Sequence, residues 1–198
     1  MDLPMGELLL QQIDTIPEPK NDPFSILEWK EINERHFWIG NDITWDDCCF
    51  IVRMIQLINR IDKTMNPEPI HIHIMSNGGE LPTMFAIYDA IKESRVPIYT
   101  YNEGAAHSAA FIIFLAGHKR FARKHAVSIA HEGSAAMAGS YRESKAAMKA
   151  YEKDVANMRH IISEETNFTE EEVNLKFEEN QDWYIFYDDM IQYGIIEE

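Results

Sequence analysis

Residues 70–75 read Ile-His-Ile-His-Ile-Met, a strict alternation of apolar and polar side chains. Alternation with a period of two is typical of a β-strand with one face against a core, so this segment predicts a strand whose isoleucines point inward. A tight turn follows at residues 76–79, and apolar residues then recur at helical spacing from Leu81 to Glu93. A buried strand that leads directly into an amphipathic helix constrains the chain to a layered α/β fold.

The same order of strand and helix repeats along the chain, which favours a sheet of largely parallel strands. Three further regions of strand are predicted, at residues 36–39, at residues 98–101, and as a strand pair around residues 120–122 and 127–131. Helices are predicted from Thr44 onward, over residues 140–165 and over residues 169–179, each opened by a cap-like or capping-box sequence. An aromatic run at residues 183–187 precedes a last helix that ends at Gly194.

The chain has 198 residues, the length of one ordinary domain. Residues 1–24 contain four prolines and show no sustained periodicity. We interpret them as an N-terminal arm, mobile or removed by processing, ahead of a single domain over residues 25–198.

Charge and cysteine content narrow the function classes. A formal net charge of −15 argues against nucleic acid or an anionic membrane as the main partner. The two cysteines, Cys48 and Cys49, are adjacent and cannot form a disulfide framework or a zinc site. With no signal peptide and no apolar run near the ~20 residues that span a bilayer, a soluble protein of the bacterial or phage-infected cytoplasm is expected.

The segment at residues 104–111, Gly-Ala-Ala-His-Ser-Ala-Ala-Phe, is a run of small residues around one serine. Small neighbours let a substrate backbone approach Ser108, and the apolar residues up to Gly117 predict a buried helix that starts beneath it. Unpaired N–H groups of its first turn would face whatever Ser108 attacks. Ser108 is therefore a candidate nucleophile, and an incidental serine cap on a packed helix is the alternative.

A serine nucleophile needs a base, a group that orients the base, and donors for an oxyanion. His131 ends a predicted strand just before a glycine-containing loop, where α/β proteins place their sites. Gly79 follows a buried strand and can present its N–H beside a bound backbone, and the N–H of Ala109 is the second candidate donor. Many acids remain as candidates for the orienting group, and Asp182 is distinguished by the aromatic run that follows it.

The other histidines fit structural roles better than catalytic ones. His71 and His73 share one face of a strand, but no third metal ligand lies nearby in the sequence, so an exposed polar face is predicted and neither a metal nor a cofactor is expected. His107 is expected to pack beside the serine rather than act. The remaining histidines are predicted to lie at the surface: His36, His118, His125 and His160.

Four segments of the chain resemble the proteolytic subunit of the Clp proteases, a family of ClpP-like serine peptidases. The first is Ile-Met-Ser-Asn-Gly-Gly at residues 74–79, with Ala-Ile-Tyr-Asp at residues 86–89 behind it. The second is the serine segment with its continuation to residue 121, and the third is Ser-Ile-Ala-His at residues 128–131. The fourth combines Gln-Asp-Trp at residues 181–183 with Gln-Tyr-Gly-Ile-Ile at residues 192–196. They keep the family's order over residues 34–198.

The resemblance implies a ClpP/crotonase-like spiral of ββα units with a C-terminal helical part. It also implies a triad in which Ser108 attacks the peptide carbonyl, His131 takes and returns the proton, and Asp182 holds the imidazole. Gly79 and Ala109 would form the oxyanion hole. The implied assembly is a homo-oligomer, a heptameric ring that can be stacked as a tetradecamer, which cleaves peptides or unfolded proteins in its chamber.

The chain departs from the family's pattern at several positions. Asn77 replaces a proline, His107 replaces a small residue, and Glu132-Gly133 replaces a glutamine–proline pair. Gln181 stands where an arginine couples ring pairing to activity, which favours a single ring. Aromatic residues of the family receive an AAA+ unfoldase at positions that here carry polar side chains, which argues against such docking: His71, His73 and Glu93.

Three alternatives remain open. The segments at residues 114–120 and 182–184 are typical of phage and prophage members, so a phage head-maturation protease that processes capsid or scaffold is one. A non-catalytic ClpP-like scaffold or regulatory subunit is another, although a complete triad argues against it. A crotonase-type acyl-CoA enzyme would need acid–base carboxylates near the oxyanion hole, and the two that the sequence offers, Glu80 and Glu103, suit a surface better.

Overall fold

The computed structural model describes residues 22–133, 138–179 and 181–197. Residues 1–21 of the proposed arm therefore lie outside the described residues. The helices are α1 (Pro23–Asn33), α2 (Trp45–Ile61), α3 (Leu81–Lys92), α4 (Ala109–Leu115), α5 (Tyr141–Glu165), α6 (Glu170–Glu179) and α7 (Tyr187–Gln192). The strands are β1 (His36–Ile39), β2 (Ile70–Ser76), β3 (Ile98–His107), β4 (Lys119–Ala122), β5 (Val127–Ala130) and β6 (Trp183–Ile185).

The strands form one six-stranded sheet in the order β1-β2-β3-β5-β6, with β4 also paired to β3. All of these pairs are parallel except β5–β6. The predicted strand pair around residues 120–122 and 127–131 is wrong as a pair: β4 pairs with residues 99–102 of β3, and β5 pairs with residues 105–107. Because β3 has ten residues where four were predicted, it changes partner along its length and carries its end to the neighbourhood of β5.

The periodic segments fold as their patterns predict. Ile70, Ile72 and Ile74 of β2 are fully buried. All seven residues of α4 are buried as well, so the end of β3 leads directly into the core. No helix within residues 22–133, 138–179 and 181–197 has the length and apolar character needed to cross a bilayer.

Capping explains where two predicted helices begin. The hydroxyl of Thr44 accepts the N–H of Asp47, whose carboxylate accepts the N–H of Thr44 in return. The same reciprocal pair joins Ser140 and Glu143 at the start of α5, which runs to Glu165 as predicted. By contrast α1 has no buried residue, so its helical state left no apolar stripe to detect in the sequence.

The face of the sheet opposite the isoleucines carries a stack of rings that we call the histidine–aromatic ladder: His36, Trp38, His71, His73, Tyr101 and Phe121. Parallel register places rings side by side, with centroids 4.4 Å apart for His36–His71 and 4.7 Å apart for His73–Tyr101. His36 Nδ1 lies 2.8 Å from His73 Nε2, and His73 Nδ1 lies 2.7 Å from Glu103 Oε1. The predicted exposed polar face is therefore wrong, because His73 keeps only 13% of its side chain exposed.

Candidate active site

Ser108 is the junction between β3 and α4, and it has an unusual backbone conformation. Its φ and ψ angles are 55° and −123°, a region that non-glycine residues rarely enter. The N–H of Ser108 donates to the carbonyl of Ile129 in β5 at 2.7 Å, which ties the junction to the sheet. The hydroxyl does not cap α4. Of the alternative, the packed helix and the N-cap position of Ser108 are seen, but the side-chain cap is not, and within the described ranges the hydroxyl forms no hydrogen bond.

The glycine turn packs directly against this serine. Gly78 has a φ of +110°, and a Cβ at that position would lie 2.8 Å from Ser108 Cβ and 3.1 Å from the nitrogen of Ala109. At Gly79 a Cβ would lie 2.7 Å from the backbone nitrogen of Ile43, its partner in a parallel bridge. Both positions therefore need glycine for space. Ala109 opens α4, so its N–H has no intrahelical acceptor and faces this crowded spot.

His131 and Asp182 come from the neighbouring strands. In the parallel pair, His107 lies opposite Ile129, so Ser108 and His131 follow at the same end of β3 and β5. In the antiparallel pair, Ala130 lies opposite Trp183, which places Asp182 beside His131. The distance from His131 Nδ1 to Asp182 Oδ1 is 3.3 Å, and the two side chains are 32% and 45% exposed.

The structure thus brings all five predicted site residues to one edge of the sheet. Within the described residues the Ser108 hydroxyl forms no hydrogen bond, so the contact between serine and histidine is open. Such contacts are often long in unliganded sites and shorten when substrate binds.

His107, beside the serine, contacts the other substituted position of the turn. Its Nδ1 lies 3.2 Å from Asn77 Oδ1. Burial, with a further contribution from nearby His131, lowers the pKa of His107 and favours its neutral form. The two departures from the family's pattern, His107 and Asn77, are therefore a contacting pair, a relation that the linear sequence gave no means to detect.

A cleft of about 860 Å³ runs from Gly78 and Gly79 along α5, lined by Leu81, Ala150 and Tyr151 among others. It reaches the glycine turn, and Ser108, His131 and Asp182 are not among the residues that line it. No group of three or more histidine, cysteine, aspartate or glutamate side chains within the described ranges is arranged to hold a metal ion.

The two carboxylates considered for the acyl-CoA alternative differ in their surroundings. Glu103 accepts hydrogen bonds from His73 and Arg123 on the ladder. Burial would raise the pKa of Glu103, but these bonds outweigh it and lower the pKa. Glu80 is exposed at the start of α3. Within the part of the chain that the structure describes, neither carboxylate has a hydrogen bond to Ser108 or His131.

Two contacts near His131 escaped the sequence analysis. The Tyr151 hydroxyl donates to the backbone carbonyl of Glu132, and the Arg159 guanidinium pairs with the Glu132 carboxylate. Both come from α5, which is distant in sequence and carried no signal of a role at the site.

Comparison with known proteins places the chain in a family. The family model described as Clp protease matches residues 24–198. The chain is 30% identical over 178 residues to ATP-dependent Clp protease proteolytic subunit 2 of Treponema denticola, covering 89% of this chain and 86% of that protein. It is 31% identical over 168 residues to ATP-dependent Clp protease proteolytic subunit 4 of Rhodococcus jostii, covering 83% of each.

The fold agrees with this relationship. The solved structure of a ClpP1 variant from Listeria monocytogenes superposes with a TM-score of 0.73 at 24% identity, covering 86% of this chain and 94% of that one. The predicted ClpP-like α/β fold is confirmed. With the family model spanning nearly all of the described residues, the chain belongs to the Clp protease family.

Proposed function

We propose that the chain is a serine endopeptidase in which Ser108, His131 and Asp182 form the catalytic triad. The observation that carries the proposal is Ser108 itself, whose strained backbone packs against Gly78 beside the N–H of Ala109, and whose hydroxyl does not cap α4. Strain of this kind persists where the surrounding structure enforces it, and it is frequent at active sites.

In the proposed reaction the Ser108 Oγ forms a bond to the peptide carbonyl carbon while His131 accepts the hydroxyl proton. The N–H groups of Gly79 and Ala109 stabilise the oxyanion, each worth ~3 kcal/mol in comparable enzymes. The C–N bond then breaks and His131 returns the proton to the leaving amine. Water hydrolyses the acyl-enzyme by the same route, with Asp182 holding the imidazole throughout.

We propose peptides or unfolded polypeptides as substrates and a ring of identical subunits as the working form. The names of the relatives, proteolytic subunits of ATP-dependent proteases, support a subunit of a larger assembly. The exposed aromatic side chains of β6 and the following residue support it too, since Tyr184 and Phe186 are 52% and 55% exposed.

The test is covalent labelling with a fluorophosphonate probe, followed by intact-protein mass spectrometry. Wild type should gain one probe adduct, and Ser108→Ala should gain none because the attacking oxygen is missing. Ser144→Ala, on α5 away from the site, is the matched control and should label like wild type. A folded, assembled wild type that stays unlabelled at every pH would contradict the proposal and favour a non-catalytic scaffold.

A further inference from the structure

Two side chains of α5 hold the residue that follows the candidate base. Tyr151 donates its hydroxyl hydrogen to the carbonyl of Glu132, and Arg159 forms an ion pair with the Glu132 carboxylate. The two are eight residues apart and so lie on the same side of the helix. The chain segment leaving His131 is therefore fixed at both its backbone and its side chain.

Arg159 also contacts α6, the helix that precedes the candidate acid in the chain. Its Nη1 donates to Asn174 Oδ1 of α6 at 3.1 Å, and its guanidinium lies 5.0 Å from the ring centroid of Phe177. The ring of Phe177 meets the ring of Trp183 edge-on at 6.3 Å. Trp183 directly follows Asp182. The Arg159 guanidinium thus contacts Glu132, which follows the candidate base. It is linked through the ring of Phe177 to Trp183, which follows the candidate acid.

One nitrogen of the partly buried Arg159 side chain makes its contribution to folding stability smaller. Its Nε is buried and has no hydrogen-bond partner among the described residues. A buried donor without an acceptor costs free energy of folding, on the order of 1–3 kcal/mol. This cost offsets part of the stability that its two other nitrogens gain from Glu132 and Asn174.

We propose that Arg159 is a positioning residue that sets the placement of His131 relative to Asp182. The inference rests on the proposed peptidase function and names a residue that supports it. The His131–Asp182 contact, at 3.3 Å, joins two partly exposed side chains at the ends of short strands. Its geometry therefore depends on what holds the segments that carry it. Arg159 contacts Glu132 directly and is linked to Trp183 through the ring of Phe177.

Four variants test the inference in the full-length assembled protein. Arg159→Met removes the ion pair with Glu132 and the contacts with α6. Glu132→Gln removes the ion pair alone, and Arg159→Lys keeps the charge. Lys92→Met is the matched control, because it removes a different ion pair with α5, the one to Glu165 at 2.6 Å. The rate of fluorophosphonate labelling and the kcat and KM for a fluorogenic peptide are measured for each, beside thermal unfolding.

Arg159→Met should label roughly ten- to a hundredfold more slowly than wild type, with kcat lowered and KM unchanged, because misplaced catalytic groups slow the chemical step. Glu132→Gln should slow labelling in the same direction, and Arg159→Lys should be closer to wild type than Arg159→Met is. The double variant Arg159→Met/Glu132→Gln should be no slower than Arg159→Met, since both changes break the same Arg159–Glu132 ion pair. Lys92→Met should label at the wild-type rate.

Wild-type labelling rates in folded Arg159→Met, or equal slowing by Lys92→Met, would overturn the inference. If Arg159→Met does not fold, Glu132→Gln decides alone, because its carboxylate is 52% exposed and its loss leaves the core intact. A normal rate in Glu132→Gln would then refute it. Absence of labelling in wild type would instead refute the proposed function. The two failures are distinguishable because the inference concerns differences between the variants and a labelled wild type.

Discussion

At the scale of single residues, the conformation of Ser108 is enforced by contacts from other segments. Gly78 fills the space beside its Cβ, and Ile129 accepts its N–H. A serine with a φ of 55° is held against its own preference, so the surrounding turn must stay small. The glycine motif is thus required by geometry at this junction, independent of any role in binding.

Gly78→Ala should slow fluorophosphonate labelling at least a hundredfold, because the new Cβ would lie 2.8 Å from Ser108 Cβ at a φ of +110°. Gly40→Ala is the matched control, since a Cβ there meets no atom within 4 Å, and its labelling should match wild type. Labelling of a folded Gly78→Ala at the normal rate would show that the turn does not constrain the serine.

Candidate site residues could be predicted from the sequence where a local pattern marks them. Ser108, His131 and Gly79 stand beside small residues or at strand ends, which the sequence displays directly. The contact of His107 with Asn77 and that of Arg159 with Glu132 join residues 30 and 27 positions apart. Such pairs depend on strand register and helix placement, which no local pattern encodes.

At the scale of elements, the sequence of β2 predicted one face of the strand correctly and the other face wrongly. Its alternation predicted the buried isoleucines correctly. The opposite face was misread because the ladder arises only when β1, β2, β3 and β4 are brought into parallel register. The length of β3 and its change of partner were likewise invisible, since they depend on where β5 lies.

The ladder should make stability depend on pH. Burial, and then the neighbouring histidines, lower the pKa of His36 and His71 below the ordinary value of 6.5. The unfolded chain therefore binds more protons in the window below pH 6.5. The free energy of unfolding should be full above that pH and should fall as the pH drops through the lowered pKa values.

Thermal unfolding at pH 7.5 and pH 5.5 checks this expectation. Wild type should lose a few degrees of Tm at the lower pH, in the range that about 1 kcal/mol produces in a domain of this size. His71→Phe keeps a ring in the stack and should lose less. His160→Phe, at an exposed site, should lose as much as wild type. An equal loss in all three proteins would locate the pH dependence elsewhere.

At the scale of the whole molecule, α5 extends beyond what the described chain can bury. Its buried residues are Val155, Met158 and Ile162, all in its second half. In the first half Tyr141 is 79% exposed and Met148 is 47% exposed. Together with Tyr184 and Phe186, these side chains present apolar surface of the kind that contacts partners.

Native mass spectrometry should find a particle of about 161 kDa for a ring of seven 23.0 kDa chains, or about 322 kDa for two stacked rings. Tyr141→Glu/Met148→Glu should shift the mass towards smaller species if α5 joins subunits, because charge is costly in an apolar contact. The control Arg142→Glu/Lys149→Glu changes charge on the same helix. A wild-type monomer at micromolar concentration would contradict the assembly.

The passage of β3 into the buried helix α4 separates two halves of the site. Gly78 and Ala109 are buried, and the half-buried Ser108 joins a ten-residue strand to a buried helix. His131 and Asp182 lie on partly exposed segments held by side chains from α5 and α6. If the proposed triad operates, we expect a perturbation at the surface to displace His131 and Asp182 more readily than Ser108, and so to change kcat more than KM.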